Sequence, residues 1–205
     1  MSRYCEQCGK AKKACICRWI QVIDAKTELW ILQHPSELNR AIGTARILTL
    51  SLPTARLWVG EDFSQHDELN ALLAESGREV WLVYPGEDSV PISRLASTRP
   101  AKGAIRTLIL LDGTWKKAYK MWQLSTNLHH LPTVNLDNVE SGNYRIRKSP
   151  KEQGVSTVEA GYLALTALEG QSETFAPLLG VFNQMIDFQI RQMPAGIYEK
   201  HYGEK

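Results

Sequence analysis

The sequence predicts an α/β protein: a mostly parallel sheet flanked by helices, with a small N-terminal metal-binding knuckle. Three observations predict it. Short apolar runs alternate with segments of helical period along most of the chain. All four cysteines fall within the first 17 residues. The chain has 205 residues, 43% of them hydrophobic, which is enough to bury one core.

The elements follow in order. Residues 1–24 read as a small module and 25–205 as the larger domain. Residues 28–33 read as a strand, and 37–50 carry a helical pattern. A short strand at 56–60 precedes a helix at 67–75, closed by Gly77. Residues 80–84 form an apolar strand ending in Pro85-Gly86, and 106–111 a second one ending at Asp112. A helix at 115–124, a short strand at 133–136 and a helix at 158–168 follow, the last closed near Gly170. The final helix is the clearest: Phe175, Leu178, Leu179, Phe182, Met185, Ile186 and Ile190 recur at helical spacing.

The net charge of +2 says little about partners, but its distribution says more. Arg3, Lys10, Lys12, Lys13 and Arg18 crowd the first module against Glu6. No apolar run approaches the roughly 20 residues that span a bilayer, so no membrane partner is expected. The first residues hold no signal-peptide apolar region, and a cytoplasmic protein is the expectation.

Cys5-x2-Cys8 and Cys15-x-Cys17 form two close pairs, as a tetrahedral structural zinc site requires. Disulfides are the rival, but nothing in the sequence points to secretion. An iron–sulfur cluster would take the same ligands. Fully deprotonated, a zinc centre of this kind carries a formal charge of about −2, which the surrounding cations offset. The module either staples a segment too small to fold alone or presents a basic knuckle to nucleic acid, and the two roles are compatible.

Asp112 lies where open α/β sheets place their ligands, at the C-terminal end of a strand. It is a catalytic carboxylate, or else it or Thr114 caps the helix that begins near Trp115. On that helix Trp115, Ala118 and Trp122 have core-like spacing. Lys116, Lys117 and Lys120 lie opposite, as a solvated face or as a grip on a polyanion such as RNA. In Tyr144-Arg145-Ile146-Arg147-Lys148 both arginines point to one side of an extended segment. They read as a bidentate phosphate grip or as a charged edge strand. Ser156-Thr157-Val158-Glu159 is a capping box whose helix N-terminus also offers N–H groups to an anion. His34, at a strand end, and His129-His130 read as structural or solvated residues.

In their order and spacing these motifs resemble the DTW-domain family of tRNA-uridine aminocarboxypropyltransferases. The name-giving Asp-x-Thr-Trp is Asp112-Gly113-Thr114-Trp115. Around it stand the cysteine pairs, His34-Pro35-x-Glu37, Tyr84-Pro85-Gly86-Glu87-Asp88, Tyr144-Arg145-x-Arg147-Lys148 and Ser156-Thr157-x-Glu159-Ala160. The resemblance implies a fold akin to the SPOUT RNA methyltransferases, with a C-terminal trefoil knot. It implies S-adenosylmethionine as co-substrate, and transfer of its 3-amino-3-carboxypropyl group to N3 of a uridine in the variable loop of tRNA. Under it Asp112 is the base. Tyr84, Pro85, Gly86, Leu110, Leu111, Thr114, Trp115, Ser156 and Thr157 meet the co-substrate, and Lys116, Lys117, Lys120, Arg145, Arg147 and Lys148 meet tRNA. A SPOUT-like methyltransferase and a non-catalytic zinc-knuckle RNA binder are the alternatives; a monomer is compatible with all three.

Overall fold

In the computed structural model, residues 2–136 and 155–194 are described. Six strands form one sheet: β1 (Glu28–Gln33), β2 (Arg56–Val59), β3 (Arg78–Val83), β4 (Val90–Pro91), β5 (Ile105–Asp112) and β6 (Thr133–Asn135). Their spatial order is β2-β1-β5-β3-β6-β4, and every pairing is parallel. Among the described residues six α-helices accompany them: α1 (Ala45–Ser51), α2 (Asp67–Leu73), α3 (Ile92–Ala96), α4 (Trp115–Leu124), α5 (Thr157–Glu169) and α6 (Ser172–Arg191).

Successive side chains on a strand point to opposite faces, and this splits the core in two. Leu29, Ile31, Leu108 and Leu110 enter the larger core, with Ile47 and Leu48 of α1, Leu95 of α3, Leu165 of α5 and Phe175 of α6. Trp30, Leu32, Leu82 and Ile109 enter the second, with Leu69 of α2 and Met121 of α4. The central strands β1 and β5 are buried on both faces, so they read as continuous apolar runs. At Gly161 a Cβ would lie 2.8 Å from Leu48 Cδ2 and 3.2 Å from Leu29 Cδ1, so glycine is what lets α5 sit close on α1 and β1.

Several boundaries differ from the sequence expectation. The helix expected at 37–50 is a 3-10 turn at Pro35–Glu37, a looped stretch, and then α1 from Ala45. The Gly43 N–H donates to the Arg40 carbonyl at 3.0 Å, a Cβ there would lie 3.2 Å from that oxygen, and the chain turns rather than winding on. Helix α2 stops at Leu73, and Gly77, at φ +89°, turns the chain into β3 instead of closing the helix. The short β4 and α3 were not legible as elements. By contrast α5 ends at Gly170 in the left-handed region, as expected.

The cysteine module packs into the larger core. Cys8, Ile16 and Ile23 are buried there. Lys10 is also buried, its Nζ donating to the carbonyls of Ala41 at 2.8 Å and Gly43 at 3.0 Å. Arg46 donates to the Gln7 carbonyl through Nε and Nη2.

Candidate active site and cysteine centre

The strand alternation that builds the core also aims Asp112. Gln33 and Asp112 are register partners at the ends of β1 and β5. Both continue the rows that fill the larger core, so they face α5 rather than α4. Asp112 is 7% exposed. Gln33 Nε2 donates to its Oδ2 at 2.7 Å, and Thr157 Oγ1, on the first residue of α5, donates to its Oδ1. Burial raises the carboxyl pKa above its usual range; the Thr157 and Gln33 hydrogen bonds pull the other way, and Glu37 adds repulsion.

This geometry bears on the capping alternative. Helix α4 has Thr114 at its N-cap position and no side-chain cap bond, and Asp112 is turned to the opposite face. The cap at α5 is complete: Ser156 Oγ accepts from the Glu159 N–H at 3.4 Å, and Glu159 Oε2 accepts from the Ser156 N–H at 2.8 Å. The Val158 N–H donates to Thr44 Oγ1 at 3.3 Å, so two first-turn N–H groups already have partners.

Gly113 permits a close turn beneath this rim. A Cβ there would lie 3.1 Å from Lys117 Cβ and 3.6 Å from His34 Cβ. His34 Nδ1 accepts from the Ser36 N–H at 3.1 Å, which leaves Nε2 to donate to Glu61 at 3.1 Å. Glu61 also receives Lys120 at 3.0 Å, and Lys120 followed by His34 holds its carboxyl below the usual range. Glu37 receives Lys117 at 2.7 Å and Arg40 at 3.1 Å. Two of the three lysines proposed for a polyanion are therefore paired to carboxylates, while Lys116 is exposed.

The remaining expected residues divide clearly. Tyr84 follows β3 at the same rim, half-buried, with its N–H bonded to the Val134 carbonyl at 3.0 Å. Pro85 and Gly86 are exposed in the next turn, which Ser89 closes by donating to the Gly86 carbonyl at 2.7 Å. Leu110 is a core residue flanked by strands on both sides, and Leu111, half-buried, packs on the second core. Trp115 departs from its core-like spacing, being 51% exposed, whereas Ala118 is buried as that spacing expects, together with Met121. Tyr144, Arg145, Arg147 and Lys148 lie outside the described residues. Sequence reasoning missed Gln33, Thr44 and Glu61. A polar residue closing an otherwise apolar strand was the available signal for Gln33.

The four cysteines converge. Their sulfurs lie within 4.8 Å of one another, with Cys5–Cys17 at 3.7 Å and Cys8–Cys15 at 3.8 Å. All four are free thiols. Backbone N–H groups of Cys8 and Gln7 lower the Cys5 pKa to about 6, while burial raises that of Cys17. The cluster could hold a metal ion.

The DTW domain family model matches residues 2–190. Two relatives named tRNA-uridine aminocarboxypropyltransferase 2, from Macaca fascicularis and Mus musculus, are 28% and 30% identical over 91% of this chain. The chain spans 63% of the length of each. A relative of the same name from Drosophila melanogaster is 29% identical over 90% of this chain and 75% of its own length. No solved structure matches.

Proposed function

The chain belongs to the DTW domain family, and from that membership we propose that it is a tRNA-modifying transferase. It moves the 3-amino-3-carboxypropyl group of S-adenosylmethionine to N3 of a uridine in the tRNA variable loop. One observation carries the reading: the buried Asp112 carboxylate, held by Gln33 and Thr157, sits at the sheet rim inside the Asp-x-Thr-Trp motif. Uridine N3–H is a weak acid, so the attack needs a base. A carboxylate whose pKa burial has raised is better matched to that task near neutral pH. The proton passes to Asp112 as N3 bonds to the γ-carbon of the methionine moiety. The S–Cγ bond breaks with its electron pair on sulfur, and methylthioadenosine leaves. S-adenosylmethionine supplies the sulfonium that activates three carbons alike, so the chain's work is to orient the γ-carbon and shield the methyl.

The residues divide accordingly. The turn at Tyr84, Pro85 and Gly86, with Leu111 and Thr114, borders the adenosyl seat. Ser156 and Thr157 stand at its carboxylate or ribose end. Arg145, Arg147, Lys148 and the α4 lysines meet phosphate. A SPOUT-like, knotted arrangement and a cytoplasmic location belong to the same proposal. No helix among the described residues is long and apolar enough to cross a membrane.

Zinc fits the cysteine centre. A tetrahedron with Zn–S bonds of about 2.3 Å has edges of about 3.8 Å. The two closest sulfur pairs stand at 3.7 and 3.8 Å. The buried Lys10 places a cation near Cys8 and ties the centre to the main fold. Zinc there would set the Ile16 and Ile23 anchors in place.

Mass spectrometry of nucleosides from tRNA incubated with the protein and S-adenosylmethionine tests the reading. Aminocarboxypropyluridine is the expected product. A methylated nucleoside instead would assign the chain to methyl transfer, and no product with a tRNA-binding, folded protein would remove catalysis altogether.

A further inference from the structure

Helix α4 carries aromatic side chains where a surface helix ordinarily carries polar ones. Trp115, Tyr119 and Trp122 recur at i, i+4 and i+7 and so share one stripe. The helix buries Ala118 and Met121 beside that stripe. Trp115 is 51% and Tyr119 49% exposed, which leaves two large rings in solvent on one helix. Tyr119 lies 6.2 Å from Trp122 at 29°, and Trp122 lies 5.6 Å from Tyr84 at 13°. The stripe therefore runs into the sheet rim at the Tyr84 turn, the rim at which β5 ends in Asp112, whose side chain faces the α5 side. His129 also packs on Trp122, at 4.8 Å, with Nε2 against the Trp122 carbonyl at 2.8 Å. Gln123 donates to the Tyr119 hydroxyl at 2.8 Å. Lys116 and Lys120 border the stripe on its solvent side.

We propose that the Trp115–Tyr119 face, backed by Trp122 and Tyr84, stacks unpaired bases of the RNA substrate beside the target uridine. This deepens the tRNA reading above and rests on it. The chemistry favours this occupant. The half-exposed rings of Trp115 and Tyr119, the latter held at 29° to Trp122, offer π-faces that any base can use, and the exposed Lys116 beside them supplies charge that a phosphate backbone requires. A uridine must also present its Watson–Crick edge for N3 to react, so it leaves its pairing partner and the bases beside it lose stacking. A preformed ladder replaces what they lose. Trp115 then serves the RNA rather than the adenosyl group.

The test uses the full chain and two RNA probes, a tRNA transcript and a short uridine-rich single strand. Tyr119→Ala should weaken both by about 5- to 150-fold, the range that loss of one base–aromatic stack costs. Tyr119→Phe keeps the ring and loses only the Gln123 bond, so it should bind within about twofold of the parent. The salt slope should be unchanged in Tyr119→Ala, since no charge is removed, and reduced in Lys116→Ala. Thermal melting should show all three folded. Tyr119→Ala binding like the parent, or Tyr119→Phe losing as much as Tyr119→Ala, would overturn the proposal. Nucleoside analysis separates the two readings. Normal aminocarboxypropyluridine formation with an unchanged KM for tRNA in Tyr119→Ala removes the stacking face and leaves the transferase. RNA binding that depends on the Tyr119 ring without any product removes the transferase and leaves the stacking face.

Discussion

Replacing Asp112 by Asn separates chemistry from architecture at the rim. Burial raises the Asp112 pKa despite hydrogen bonds from Thr157 and Gln33, so desolvation outweighs both donors. A folded pKa above the unfolded value near 3.9 means that the group's stabilising share is complete below that value and is lost as pH rises through the folded pKa. At neutral pH the ionised carboxylate therefore costs stability. Asparagine has the same size and no charge. Its oxygen accepts from one donor, and its amide donates to Thr157 Oγ1, or to Gln33 once that amide turns over. The melting temperature should hold or rise slightly at pH 7, and the difference should shrink as the pH falls towards 4. The amide is no base, so transfer should fall by roughly 10²–10⁴ in single-turnover assays with saturating tRNA and S-adenosylmethionine. The residual product should still carry the aminocarboxypropyl group. A folded Asp112→Asn protein that transfers at the parental rate would refute the reasoning and move the base elsewhere. Thr157→Val checks the ionisation argument from the other side. It removes a donor to the charged form, so the Asp112 pKa rises further and the acid limb of the pH–rate profile moves to higher pH. A limb that stays in place would show that this bond does not set the ionisation.

Other outcomes follow from the same geometry. Elemental analysis of protein purified under reducing conditions should give about one zinc per chain, and chelation should lower the melting temperature, because Cys8, Ile16 and Ile23 are part of the main core. Metal-free protein with four free thiols and an unchanged melting curve would rule zinc out. Gly161→Ala should destabilise by about 1–2 kcal/mol in denaturant melts: the added methyl meets buried Leu48 and Leu29, and that strain exceeds the gain of about 1 kcal/mol in helix propensity. Lys116→Ala should reduce the slope of log tRNA affinity against log salt by roughly 0.7–0.9, whereas Lys120→Ala should reduce it less, because Glu61 already neutralises Lys120. The exposed Lys120–Glu61 pair itself should contribute little to stability, measured by a double-mutant cycle.

The sequence by itself determined the elements whose signals are local. Residues 28–33 and 115–124 are apolar or amphipathic over their whole length, and both boundaries match the structure. The capping box at Ser156 and the glycine at 170 are read from single turns, since their bonds close within a few residues. The cysteine spacing announced a four-sulfur cluster for the same reason. Tertiary structure decided everything that depends on which face a side chain takes. Helical spacing alone put Trp115, Ala118 and Trp122 in a core; the neighbours of α4 buried Ala118, packed Trp122 half-buried against that core, added Met121 and left Trp115 in solvent. Asp112 stood next to α4 in the chain, which made a cap plausible. The strand period turned it to the other side, towards Thr157, 45 residues away in sequence, and Gln33, 79 residues away. No local pattern encodes such a meeting. It arises because parallel strands bring their C-terminal ends to one rim, where residues from distant segments share the same burial and the same field.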